Sequence, residues 1–194
     1  MNKEQLIQFI HSHSPASRQT IEKIVEGFEE REFVKNQYFL KEGKISNDYL
    51  FLSEGFMRAF TLDRDGNEVT TFFYSSNRMV FEASSFFTRT PSAENIQAVT
   101  DCRGYSITFE MLNQLFHSIP EFREFGRLML VRSFTAFKQR TLAMINKSAE
   151  ERYAELIDSS PEIFQYAHLK HIASFLGITD TSLSRIRREF GKKD

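Results

Sequence analysis

The residues best suited to chemistry lie near the C-terminal end of the sequence. Asp180, Thr181, Ser182, Ser184, Arg185 and Arg188 avoid the side of a helix marked by the apolar Leu183 and Ile186. An arginine such as Arg185 offers a planar fork that makes a two-pronged contact with a guanine edge, and serine and threonine hydroxyls reach bases or phosphate oxygens. Between His168 and Asp194 six Lys/Arg stand against three Asp/Glu, in a chain whose formal net charge is −1. That local excess attracts phosphate without a strongly basic whole protein. Ile172, Leu176, Ile178, Leu183 and Ile186 are spaced to pack two helices across a tight turn, with Ala173 small where the helices cross. Gly177 tolerates the left-handed backbone of such a turn, and Thr179 or Asp180 supplies the N-cap of the second helix. The spacing predicts a helix-turn-helix. Its phosphate anchors are expected at the helix ends, at Lys170 and at the tail Lys192-Lys193.

Composition narrows the alternatives. The 194 residues are 41% hydrophobic and include 21 Phe but no Trp, an aromatic load that argues for packed structure. No apolar run approaches the roughly 18 residues of a membrane span, and no signal peptide is read at the start, so no membrane partner is expected. Cys102 is the one cysteine, which excludes an internal disulfide, a four-cysteine iron–sulfur cluster and a cysteine-rich zinc site, and makes a reducing cytoplasm the expected compartment. His11 and His13 read as solvated, and His168 and His171, at i, i+3, as phosphate-facing or packing residues without a third ligand. Neither a metal nor a cofactor is expected. Glu82, Ser84, Ser85 and Arg89 share one expected loop, yet no His lies nearby, and neither a glycine-rich phosphate loop nor a nucleophile elbow is present. No catalytic residue is assigned, and the chain does not read as an enzyme.

Other elements must carry the two C-terminal helices. Leu6, Ile7, Phe9 and Ile10 form a short apolar cluster before Pro15, and Ser17 caps a helix whose buried face is Ile21, Ile24, Val25 and Phe28. From Phe33 to about Thr108 the texture becomes that of short strands: Tyr38–Leu40, Tyr49–Ser53, Phe56–Leu62, Glu68–Tyr74, Asn95–Ala98 and Cys102–Ile107. Asp65-Gly66 marks a hairpin, and the whole stretch reads as a small jelly roll. From Glu121 to about Asn146 a long helix carries two apolar stripes. Leu130, Phe134, Phe137, Thr141 and Met144 form one; Phe122, Gly126, Met129, Ser133 and Ala136 form a narrower one. One stripe is expected against the roll and the other against the same helix of a second subunit, the alternative being burial of both within one monomer. Ser148 and Glu151 make a capping box for a short helix that breaks at Asp158-Ser159-Ser160-Pro161. The expected class is α+β, with a roll and its N-terminal helices over residues 1–118, the long helix over 119–146 and the helix-turn-helix over 147–194.

In this order of elements the chain resembles the cyclic-AMP receptor protein/FNR family of bacterial transcription regulators over nearly its whole length. The resemblance rests on Glu42-Gly43, on Asp48-Tyr49-Leu50-Phe51-Leu52 leading to Gly55, on Asp65-Gly66 and on the C-terminal motif. It implies a homodimer joined through the long helix, an effector pocket in each roll, contact with RNA polymerase, and a near-palindromic operator on double-stranded DNA with half-sites roughly 34 Å apart. Nucleotide-binding members carry a phosphate cassette that begins Gly-Glu and places an Arg, then Ser or Thr, ten residues after the Glu. Here the candidate pocket residues are Glu82, Ala83, Ser84, Arg89, Ser92 and Ala93: Phe81 replaces the glycine, Ser92 the arginine and Ala93 the hydroxyl residue. A cyclic phosphate would lose about 1.5–3 kcal/mol per missing charge-assisted hydrogen bond unless Arg89 or Arg78 substituted. Cyclic AMP is therefore not the expected effector. The pocket binds something else or nothing. The competing function is a ligand-sensing module whose C-terminal helices meet protein instead of DNA. No β-hairpin is expected in Pro161–His168, which leaves a minimal DNA-binding unit.

Overall fold

The computed structural model describes residues 3–191; Lys192-Lys193 lie outside them. Two short helices open the chain, α1 (Glu4–His11) and α2 (Arg18–Glu26), the second capped by Ser17, whose hydroxyl accepts from the Thr20 N–H. Eight strands follow: β1 (Glu29–Phe33), β2 (Tyr38–Leu40), β3 (Asp48–Glu54), β4 (Met57–Leu62), β5 (Glu68–Tyr74), β6 (Arg78–Val80), β7 (Asn95–Ala98) and β8 (Cys102–Thr108), with α3 (Ala83–Thr88) between β6 and β7. They form two antiparallel four-stranded sheets, β1-β8-β3-β6 and β2-β7-β4-β5, the jelly roll expected from the strand spacing. The β4–β5 hairpin turns at Gly66 (φ 82°), and Asp63 Oδ1 accepts from the Asp65 and Asn67 N–H groups across the turn.

Two strands escaped the sequence reading. β1 is an edge strand exposed at Glu29 to Glu32, so its polar residues show no apolar alternation. β6 is three residues long. A further correction concerns Ala83–Thr88, expected as loop and found as helix. The Glu82 carboxylate caps it by accepting from the Ser84 and Ser85 N–H groups at 2.9 and 2.6 Å.

Helices α4 (Phe109–Ser118), α5 (Pro120–Asn146), α6 (Ala149–Ser159), α7 (Glu162–Tyr166), α8 (Leu169–Leu176) and α9 (Asp180–Phe190) complete the described chain. A helical turn, α7, occupies the short segment after Pro161. The capping box forms as read: Glu151 N–H donates to Ser148 Oγ, and Ser148 N–H to Glu151 Oε2. At the start of α5, Phe122, Phe125 and Gly126 are buried against α1, α2, α4 and β3. Met129 still packs against that core, but Ser133 and Ala136 are exposed. The narrower stripe thus lies against the roll only over its first half. Beyond it, Phe134 and Phe137 are 68% and 66% exposed, and Ile145 is 77% exposed.

A separate core joins the ends of the molecule. Phe56 and Phe73 of the roll share it with Tyr153, Leu156, Ile163, Ile172, Ala173, Leu176, Leu183 and Ile186.

Candidate nucleic-acid interface and roll pocket

The turn between α8 and α9 is built from the residues that the sequence singled out. Gly177 adopts φ 68°, and the Ile178 N–H reaches back to Ala173 O at 3.0 Å, which closes the end of α8. Thr179 is the N-cap of α9, its Oγ1 accepting from the Ser182 N–H at 3.2 Å. Leu183 and Ile186 are fully buried. On the opposite side Asp180, Thr181, Ser184, Arg185 and Arg188 line one shallow, open depression. Ser182 stands apart from these five: it is half-buried, and its hydroxyl and that of Thr179 lie 3.0 Å apart in the cap. Lys170 is exposed at the start of α8.

Electrostatically the ridge is graded. Asp180 sits at the positive N-terminal end of α9 and Arg187 and Arg188 at its negative C-terminal end, each where the helix dipole favours it. The Glu150 carboxyl is held below the usual carboxylate range by its own backbone N–H and the Ser148 hydroxyl, and further by the charges of Arg185 and Arg152.

Several residues that brace the motif gave no sequence signal, most of them because their partners are backbone groups distant in the chain. Arg152 donates through Nε and Nη2 to Leu176 O (3.2 and 2.9 Å), closing the C-terminal end of α8 with a cation. Arg140 donates to Thr71 O and Phe175 O, and Ser174 accepts from the Thr70 N–H. Arg58, 2% exposed, pairs with Glu68, whose Oε2 lies 3.5 Å from His171 Nε2. His171 therefore packs on the roll, while His168 stays exposed.

The cassette residues are engaged elsewhere. Both Glu82 oxygens cap α3. Arg89 donates to Ser46 O, Phe86 O and Asn47 Oδ1, with its guanidinium 4.1 Å from the centre of the Phe109 ring. Ser92 is buried and exchanges hydrogen bonds with the Glu94 backbone. Ala83 and Ser84 are exposed on α3, and the Ala93 carbonyl accepts from Thr61 Oγ1. Burial, reinforced by the charge of Glu82, pushes the Glu94 carboxyl above its ordinary value. Arg78 lines a cleft with Phe72, Gln139 and Arg140.

Residues 30–118 match the cyclic nucleotide-binding domain family. The chain is 24% identical over 172 residues to the fumarate and nitrate reduction regulatory protein of Yersinia pestis, covering 82% of this chain and 68% of that one. In fold it is similar to the c-di-GMP responsive global regulator CLP of Xanthomonas campestris, with a TM-score of 0.71 at 14% identity over 91% of this chain and 93% of that one. It is also similar to a Crp/Fnr-family transcriptional regulator from Eubacterium rectale, with a TM-score of 0.71 at 16% identity over 92% and 85% of the two chains. Among the described residues no helix is long and apolar enough to cross a membrane. With a roll that matches the cyclic nucleotide-binding domain family, a long central helix and a C-terminal helix-turn-helix in that order, the chain shares its fold with Crp/Fnr-family regulators of known structure.

Proposed function

We propose that this chain is a transcription regulator of the CRP/FNR family that binds a near-palindromic site on double-stranded DNA as a homodimer. In this reading residues 1–118 form the roll, 119–146 the dimerising helix and 147–194 the DNA reader. The observation that carries it is the ridge of α9: Asp180, Thr181, Ser184, Arg185 and Arg188 face solvent together while Leu183 and Ile186 anchor the other side. Arg185 and Arg188 read bases and phosphates, Thr181 and Ser184 add hydroxyl contacts, and Lys170 anchors a phosphate. Thr179 and Ser182 hold the helix end that presents them. Asp180 tunes that end by disfavouring phosphate directly at it.

The exposed apolar length of α5 supports the dimer, since Phe134, Phe137 and Ile145 have no cover within the described chain. The roll pocket in this reading does not take cyclic AMP. Its arginine position is a buried serine, and Arg89 is held by Ser46 and Asn47.

Selection of bound duplexes from a random pool tests the function. An enriched sequence with two-fold symmetry, retained in a salt-dependent way, is the expected result. No enrichment, with salt-insensitive retention, would favour the competing reading of a protein-binding module. Titration calorimetry with cyclic AMP tests the pocket, and micromolar binding there would overturn its assignment.

A further inference from the structure

Strand β5 is the outer strand of its sheet, and the reader helix α8 lies along it. Edge strands present unpaired backbone groups that must find partners. Here one of them finds the DNA-reading end of the chain and another the central helix. The Thr70 N–H donates to Ser174 Oγ at 3.1 Å, and Ser174 Oγ also lies 3.1 Å from Thr70 Oγ1. The Thr71 carbonyl accepts from Arg140, which reaches from the central helix and donates its other arm to Phe175 O at 3.0 Å. The Arg140 guanidinium stacks 4.0 Å from the centre of the Phe175 ring, and Phe175 packs on Phe73 of β5. One side chain thus ties three parts of the molecule: central helix, roll edge and reader.

This docking has a consequence for the α9 ridge. With α8 held on β5, Arg185, Arg188, Thr181 and Ser184 all point to solvent. The docked arrangement leaves the DNA-facing side free, so holding it removes orientational freedom that binding would otherwise have to remove. We propose that Arg140 and Ser174 are positioning residues for DNA binding, fixing the reader against the roll edge in the orientation that meets DNA. The proposal rests on the DNA-binding function above and assigns neither residue a contact with DNA.

The test uses the full chain and the duplex selected by the wild type. Arg140→Ala and Ser174→Ala are expected to weaken binding about tenfold or more, with base preference and salt dependence unchanged, because no base or phosphate contact is removed. Ser174→Thr, which keeps the hydroxyl, is expected to restore affinity. A second variant separates positioning from folding. Thr70→Cys combined with Ser174→Cys places two thiols where hydroxyls now stand 3.1 Å apart, close enough to form a disulfide after a shift of about 1 Å. Oxidised, this stapled protein is expected to bind DNA at least as well as the reduced form. Wild-type affinity in both alanine variants overturns the proposal while leaving the DNA-binding reading intact. So does a stapled form that loses binding and recovers it on reduction, since DNA would then require the reader to leave the roll. If the wild type itself selects no duplex, both readings fall.

Discussion

Truncating the uncovered face of α5 gives the most direct quantitative test of the dimer. Phe134 is 68% exposed and Phe137 66% exposed in the single chain, so about two-thirds of each side chain remains to be covered by a partner. Full burial of a phenylalanine is worth about 1.5–3 kcal/mol, which leaves about 1–2 kcal/mol per ring. A two-fold axis counts every position twice, so Phe134→Ala should cost a dimer about 2–4 kcal/mol. At 1.4 kcal/mol per tenfold, that is a rise in the dimer dissociation constant of about 30- to 700-fold. Phe137→Ala should behave alike. The chain's own core loses little, since neither ring is seated in it. Sedimentation velocity over a range of concentrations reads the constant directly, and far-UV circular dichroism checks that the helix persists. A monomeric wild type at all concentrations, or a change below about threefold in both variants, would refute the assignment of this face.

Three further outcomes follow from single sites. Burial, then the charges of Arg58 and Lys170 and the neighbouring His168, against the pull of Glu68, hold His171 down to about 4. The unfolded chain then takes up a proton near pH 6.5 that the folded chain refuses. Stability is full above that value and falls by on the order of 1–3 kcal/mol as pH drops toward 4. Urea titrations should show this loss in the wild type and a flatter profile in His171→Gln; overlapping profiles would exclude the cause. Gly177→Ala should destabilise by about 1–2 kcal/mol through left-handed backbone alone, with an added clash where the new Cβ would come 2.3 Å from Met144 Cε. Adding Met144→Ala should relieve the clash but not the backbone cost, and a Gly177→Ala protein as stable as wild type in urea would contradict the turn. In binding assays Arg185→Ala should relax base preference, losing about 1–3 kcal/mol on the selected site, whereas Lys170→Ala should weaken all duplexes alike and reduce the salt slope by about one. The reverse pattern would exchange their roles.

Local chemistry made much of this protein legible in one dimension. Ser17 and Thr179 as caps, the Ser148–Glu151 box, Gly66 and Gly177 in turns, and Leu183 and Ile186 under the ridge are all choices made within a few residues, where spacing alone decides geometry. The strands with alternating or continuous apolar residues were legible for the same reason. The polar edge strand β1 and the helix capped by Glu82 were not, because their pairing and capping replace the apolar pattern on which sequence reading depends.

The sequence by itself determined the order of parts: roll, long helix and a helix-turn-helix with its outward arginines. Only the tertiary structure decided how the parts are joined. Arg140 finds carbonyls 69 and 35 residues away, Ser174 finds an N–H 104 residues away, and Arg89 turns to Ser46 and Asn47. A backbone N–H or C=O is present at nearly every residue, so it leaves no mark in the sequence of which distant side chain will satisfy it. That choice appears only once the sheet has an edge and the helix has been laid along it.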